Sequence, residues 1–197
     1  MENNRQSAIT RKTKETDISL CLNLDGSGKA VLKSGVPFLD HMLTLFTVHG
    51  FFDLTVTAQG DTEIDDHHSV EDIGICLGQA FKACLHDFSA INRYGHCTLP
   101  MDEALARVTV DLSNRPYLHY DVVACDQKVG AFDTALVQEF LRALSLHGGM
   151  TLHVEVPYGT NTHHILEAIF KAMGRTLDQA TSVNLRSQGP LSSKGSL

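Results

Sequence analysis

The chain has 197 residues, enough for one or two compact domains with a buried core. With 43% hydrophobic and 20% charged residues it has the composition of a globular protein in water, and no apolar run reaches membrane-spanning length. The net charge of −7 excludes a chain-wide nucleic-acid surface, so an anionic substrate must meet a local basic cluster.

The start, MENNRQSAITRKTKET, is polar and has no signal-peptide core. Residues 1–13 are expected to be a mobile arm. Thr16 to Leu24 alternates apolar and polar residues as a strand does, Asp25-Gly26-Ser27-Gly28 makes a turn, and Lys29 to Lys33 is expected to pair back as a hairpin. Pro37 suits a first helical turn, and Phe38, Met42, Leu45 and Phe46 follow at helical spacing up to Gly50, a candidate C-cap. From Phe52 to Ala58 the period changes to two. After Asp65-Asp66 a long helix carries the stripe Val70, Ile73, Leu77, Phe81 and Cys84.

The same order then recurs. Leu105 to Asp111 is a strand, Ser113-Asn114-Arg115-Pro116 a turn, and Tyr117 to Ala124 the returning strand. Phe132 to His147 is predicted helical, and Met150, Leu152, Val154 and Val156 alternate along a further strand. A last helix from Thr162 to Ala180 carries Leu166, Ile169, Met173, Leu177 and Ala180, which is the first stripe shifted by 96 positions; Gly78 lands on Gly174. The sequence predicts an α+β fold, an internal duplication of a β-β-α-β-α unit with helices on one face of each sheet. The expected boundaries are 1–92 and 93–182 for the two half-domains and 183–197 for a Ser/Gly-rich tail. Five cysteines (Cys21, Cys76, Cys84, Cys97, Cys125), without a CxxC, point to reduced core thiols and a cytoplasmic protein.

Each unit starts its last helix with a histidine pair: Asp65-Asp66-His67-His68-Ser69-Val70-Glu71-Asp72 and Asn161-Thr162-His163-His164-Ile165-Leu166-Glu167-Ala168. His67 and Glu71 share a helix face, as do His163 and Glu167, and can grip one ion. His68 and His164 are turned about 100° away from their neighbours, so each is free for a different ion. Two ions, each held by the His/Glu pair of one motif and the outward histidine of the other, use all six groups. His41 and its counterpart Glu139 raise each site to four protein ligands. Nitrogen and oxygen donors without thiolate favour an octahedral ion with open positions, Mn²⁺ over structural Zn²⁺. One copy alone is equally a polar helix start. Two copies at equivalent places favour metal. His49 and His147, in last helical turns, are read as dipole partners. His153 is read as surface, and His86, His96 and His119 as structural.

At these residues the sequence resembles imidazoleglycerol-phosphate dehydratase, the histidine-biosynthesis enzyme, from Arg11 to Leu197. The resemblance lies in the two histidine motifs and in Arg11-Lys12-Thr13-Lys14-Glu15-Thr16, Leu24-Asp25-Gly26-Ser27-Gly28, Phe38-Leu39-Asp40-His41-Met42, Pro100-Met101-Asp102-Glu103-Ala104, Asp111-Leu112-Ser113-Asn114-Arg115-Pro116 and Ser192-Ser193-Lys194-Gly195. It implies a fold like ribosomal protein S5 domain 2, two Mn²⁺ ions per active site, and a homo-oligomeric 24-mer built from trimers with sites shared between subunits. One departure is Glu139, where many members carry histidine.

The reaction implied removes water from D-erythro-imidazole glycerol phosphate to give imidazole acetol phosphate. Glu15 is the expected acid/base group or substrate anchor, with His41 and Glu167 assisting proton transfer. Arg93, Arg115, Ser193 and Lys194 are the expected phosphate contacts, with Lys171 a further candidate. The sequence leaves a second reading for each cation: a solvated helix-exit charge for Arg93, a turn charge before Pro116 for Arg115, and a disordered end for the tail that carries Lys194. Two other functions share these residues: a dinuclear metallohydrolase, and a metal-dependent assembly protein without activity.

Overall fold

Alternation of apolar residues builds the first sheet. Ile18, Leu20 and Leu22 of β2 (Thr16–Asn23) and Leu54 and Val56 of β4 (Asp53–Gly60) all turn one way and are buried. The structure, a computed structural model, describes residues 5–187 and 189–197. The first sheet has the order β1-β2-β4-β3, with β1 (Gln6–Lys12) and β3 (Ala30–Lys33) at its edges. Helices α1 (Pro37–Gly50) and α2 (His67–Leu85) cover its buried face.

The second unit repeats this plan. Its sheet has the order β5-β6-β10-β7, formed by β5 (Tyr94–Met101), β6 (Ala104–Asp111), β7 (Tyr117–Asp121) and β10 (Thr151–Tyr158). Helices α3 (Leu136–Gly148) and α4 (Thr162–Thr181) lie on its inner face. A short hairpin, β8 (Lys128–Val129) and β9 (Phe132–Asp133), precedes α3. The α+β duplication holds, with one strand more at the start of each unit than the sequence predicts.

Four local expectations change. Gln6–Lys12 is not part of a mobile arm but pairs antiparallel along β2. It was hard to see because an edge strand with one ladder needs few apolar residues. Arg11 ties it down, its Nε 2.9 Å from Asp72 Oδ1. Nor do β2 and β3 form a hairpin: β3 runs parallel to β4, and β7 runs parallel to β10. The Asp53 carboxylate accepts hydrogen bonds from the N–H groups of Ser27 (2.8 Å) and Lys29 (3.0 Å), which carries the turn across the end of β4. A strand–helix–strand crossover through α1 then lays β4 parallel beside β3, the kind of connection that parallel neighbours need.

Helix α3 starts at Leu136 rather than Phe132. Phe132 is buried but belongs to the β8–β9 hairpin, and the Thr134 hydroxyl donates to the Asp126 and Gln127 carbonyls. Gly50 ends α1 but is not the left-handed cap; Phe51 takes that conformation at φ 55°. A Cβ at Gly50 would lie 3.1 Å from the Gly174 carbonyl oxygen. Glycine there makes room first for the Phe52 ring, 2.4 Å from such a Cβ, and then for the crossing of α1 with α4, and Gly78 meets Gly148 where α2 crosses α3.

The helices of the two units therefore pack on each other, and both sheets share one continuous core. Because α1 meets α4 and α2 meets α3, each unit supplies a helix to the other's histidine motif. Cys76 and Cys84 are buried thiols, pushed up to about 11 and 12 by burial, whereas Cys21 and Cys125 are exposed. Among the described residues no helix is long and apolar enough to cross a membrane.

Candidate functional site

The start of α4 is held by Asn161, whose side chain accepts hydrogen bonds from the N–H groups of His163 (2.9 Å) and His164 (3.4 Å). One helical turn on, Glu167 lies under His163, with Oε2 3.3 Å from His163 Nε2. Helix α1 brings His41 to the same oxygen, its Nε2 3.6 Å away. The ligand atoms of His41, His163 and Glu167 all fall within 4.8 Å of one another. Two ligand atoms in adjacent positions of an octahedral shell stand about 3 Å apart, so small side-chain movements suffice to close these three on one ion. The donors are nitrogen and oxygen only, which fits Mn²⁺.

Lys171, one turn beyond Glu167, places Nζ 2.5 Å from Oε1. It thus sits on a candidate ligand rather than among the tail residues. Burial raises the Glu167 carboxyl, but the Lys171 hydrogen bond and charge together with His41 and His163 carry it below its ordinary value. Oε1 is engaged by the ammonium while Oε2 faces the two imidazoles.

The first motif is arranged differently. His67 and Glu71 are 3.6 Å apart and half-exposed. Among the described residues they gather no third ligand. Glu139 is turned to Arg142, whose Nη1 donates to both its oxygens at 2.9 and 3.1 Å. Within one chain Glu139 therefore does not join His67 and Glu71 as His41 joins His163 and Glu167. The outward histidines each meet acids. His68 Nδ1 lies 3.0 Å from Asp61 and 3.8 Å from Glu15; His164 Nδ1 lies 2.8 Å from Glu103. These side-chain hydrogen bonds raise both imidazoles above their ordinary value.

Glu15 belongs to the turn between β1 and β2, which Thr13 shapes by accepting from the N–H groups of Glu15 (3.0 Å) and Thr16 (2.9 Å). That turn lays Glu15 beside His68, more than half exposed. Asp72, the last residue of the first motif, is structural: Oδ2 accepts from the Thr16 hydroxyl at 2.5 Å.

A second group of predicted residues meets at the tail. Arg93, Arg115, Ser193 and Lys194 line one cavity of about 560 Å³ with Asn114 and Tyr94. Arg93 is buried and already engaged, its Nε and Nη2 donating to the Asp111 carboxylate at 2.7 and 3.0 Å and Nη1 to the Leu191 carbonyl. Asp111 raises the guanidinium further above its ordinary value. Arg115 is three-quarters exposed and only 4.0 Å from Asp111. The tail is anchored by bridges from Ile91 to Val183 and from Ser89 to Pro190.

Sequence reasoning missed Asp61 and Glu103, which hold the outward histidines. Their signal lay in their places after β4 and before β6, visible only once every strand is known. His49 and His147 lie in the last turns of α1 and α3, as the sequence predicts. Both are lowered, chiefly by burial, with nearby Lys171 and Arg175 adding to His49 and Arg11 to His147.

The family model described as imidazoleglycerol-phosphate dehydratase matches residues 34–177. The imidazoleglycerol-phosphate dehydratase of Syntrophobacter fumaroxidans is 59% identical over 197 residues, covering 100% of both chains. That of Bacillus subtilis is 56% identical over 193 residues, covering 98% of this chain and 100% of its own. The crystal structure of the Staphylococcus aureus enzyme is similar with a TM-score of 0.83 and 42% identity, covering 91% of this chain and 99% of that one. The Pyrococcus furiosus structure, solved in complex with (S)-C348, has a TM-score of 0.83 and 39% identity, covering 96% of this chain and 100% of its own. With matches of this extent in both sequence and fold, the chain belongs to the imidazoleglycerol-phosphate dehydratase family, a family of hydro-lyases.

Proposed function

We propose that the protein removes water from D-erythro-imidazole glycerol phosphate to give imidazole acetol phosphate, in L-histidine biosynthesis, with two Mn²⁺ ions per active site. The observation that carries this reading is the convergence of His41, His163 and Glu167, all nitrogen and oxygen donors, from helices of both units. The family gives the substrate class, and the residues fit the ion.

Loss of water breaks the C–O bond on the carbon next to the imidazole ring and a weakly acidic C–H bond on the carbon after it, and the enol so formed becomes the ketone. Bound ions would favour a deprotonated ring, whose electrons help hydroxide to leave the adjacent carbon, and the proton taken from the next carbon joins that hydroxide as water. The chain's own residues do the rest. Glu15, exposed beside His68, is the acid/base group or substrate anchor of this proposal. His41 and Glu167 stand close enough to relay a proton, and Lys171 keeps Glu167 Oε2 turned towards the imidazoles. At the tail, the exposed side chains of Arg115, Lys194 and Ser193 can meet a phosphate, while the engaged Arg93 contributes fixed positive charge.

His67, Glu71, His68, His164 and Glu139 complete the metal shells in this reading by meeting neighbours in a 24-mer assembled from trimers. Support comes from the half-exposed His67–Glu71 pair, which has room for further ligands. A cytoplasmic location goes with the pathway. The test is to incubate Mn²⁺-loaded protein with imidazole glycerol phosphate and detect the enolised ketone under alkali. Absence of product with the substrate intact would sink the proposal, and release of inorganic phosphate would indicate a hydrolase.

A further inference from the structure

Glu15 and Glu103 occupy the same place in the two units. Each is the residue immediately before the second strand, β2 or β6, and each lies beside the outward histidine of its own unit. Their engagements differ. In the first unit His68 Nδ1 is held by Asp61, at 3.0 and 3.2 Å to its two oxygens, and Glu15 is left 3.8 Å away. In the second unit the residue following β10, where Asp61 follows β4, is Gly159. A Cβ there would lie 2.6 Å from Ile165 Cγ1 and 3.0 Å from Ala104 Cβ. An aspartate at that position would crowd the side chains of Ile165 and Ala104.

Glu103 fills the gap from the other side. Its Oε2 is 2.8 Å from His164 Nδ1. Its Oε1 accepts from the N–H groups of Asn161 (2.8 Å) and Thr160 (3.2 Å) and meets the Thr160 hydroxyl at 3.4 Å. A carboxylate only accepts, so the proton of the neutral imidazole sits on Nδ1, and the lone pair of Nε2 is left free to ligate.

We infer that Glu103 is a positioning residue: it fixes the ring orientation and tautomer of His164 for metal binding, the task Asp61 performs for His68, and this division leaves Glu15 alone for substrate. The duplicated unit has thus put one loop glutamate to two uses. The inference rests on the two-ion reading above. Glutamine at position 103 has a single acceptor oxygen and cannot serve both His164 and the α4 backbone.

The test is an Mn²⁺ titration of the full-length protein, following the free ion by electron paramagnetic resonance, with thermal denaturation alongside. The wild-type chain is expected to show two sites per chain, and E103Q to weaken one of them by roughly 10–100-fold. Asn161→Ala loosens the same helix start by removing its cap without touching the His164 ring. It should lower thermal stability and leave both affinities within about threefold, where only an outer-partner loss gives the larger change. Two sites of wild-type affinity in E103Q would overturn the inference alone, as would equal weakening in Asn161→Ala. A wild-type chain that takes up no Mn²⁺ would overturn the two-ion reading and the inference with it.

Discussion

His41 Nε2 lies 3.6 Å from Glu167 Oε2, although the two residues come from different halves of a duplicated chain. The proximity is made by the crossing of α1 with α4, whose helices also meet further along at Gly50 and Gly174. Replacing His41 with alanine should therefore cost one metal site more than the ~100-fold that losing an outer partner brings. An Mn²⁺ titration reads this directly, and unchanged stoichiometry and affinity would remove His41 from the ligand set.

The crossing itself can be perturbed at a distance from the ligands. A Cβ at Gly174 would stand 2.4 Å from the Phe46 carbonyl oxygen and 3.0 Å from Gly50 N, both backbone atoms. Gly174→Ala is expected to lose about 1–3 kcal/mol of stability by overpacking. It should also weaken Mn²⁺ binding, because the helices must separate. Thermal denaturation and metal titration on the same variant test the link between the packing and the site.

Two arginines of one cavity should behave differently. Arg115 is largely exposed, so Arg115→Ala should leave stability within about 0.5 kcal/mol. A lost charge-assisted phosphate contact is worth about 1.5–3 kcal/mol, or roughly 10–100-fold in kcat/KM. Arg93→Ala leaves Asp111 without its buried partner and should destabilise by about 2–3 kcal/mol, less than a fully dry pair because Asp111 keeps some water. Kinetics together with denaturation separate the two effects.

Turnover should depend on Glu15 without a matching dependence of folding. Its side chain is more than half exposed, and nearby structure is carried by Thr13 and Asp61. Glu15→Gln is expected to lower kcat by about 10²–10⁴-fold if it transfers a proton. Normal turnover with normal substrate affinity would exclude both roles proposed for it.

The metal-free protein should carry a pH signature of the His164–Glu103 pair. The His164 hydrogen bond, with backbone N–H groups adding, lowers the Glu103 carboxyl from 4.5 to about 2, and Glu103 raises His164 above 6.5. The glutamate contribution is fully present above pH 4.5 and fades as pH falls towards 2. The histidine contribution is present below pH 6.5 and fades as pH rises through the raised value. The stability gap between wild type and E103Q should therefore be widest between pH 4.5 and 6.5. Thermal denaturation across pH checks this. Mn²⁺ must displace a proton from each raised imidazole, so on acidification its affinity should begin to decline at a higher pH than an ordinary histidine would give.

The helices, the inner strands and the duplication were legible because each is fixed locally. The stripe from Val70 to Cys84 and its copy from Leu166 to Ala180 have a period set by the helix, and all ten residues are buried. The paired histidines were equally plain, since four-residue spacing alone puts His67 above Glu71 and His163 above Glu167. The edge strands β1 and β5 were not, because one ladder of backbone hydrogen bonds leaves little imprint on side-chain choice. The parallel placement of β3 and β7 was hidden too, since nothing in a turn's residues states which strand lies beyond it.

By itself the sequence determined two α+β units, two histidine motifs and the chemical kind of their donors. Only the tertiary structure decided which of those donors meet. His41 joins His163 and Glu167 because glycine crossings hold α1 against α4, whereas Glu139 turns to Arg142. The Lys171–Glu167 contact, by contrast, follows from i+4 spacing within α4, although the sequence groups Lys171 with the phosphate contacts. Spacing along a helix is a local property and is written in the chain. Which helix faces which depends on the sum of close contacts across the core, and no short stretch of sequence carries that sum.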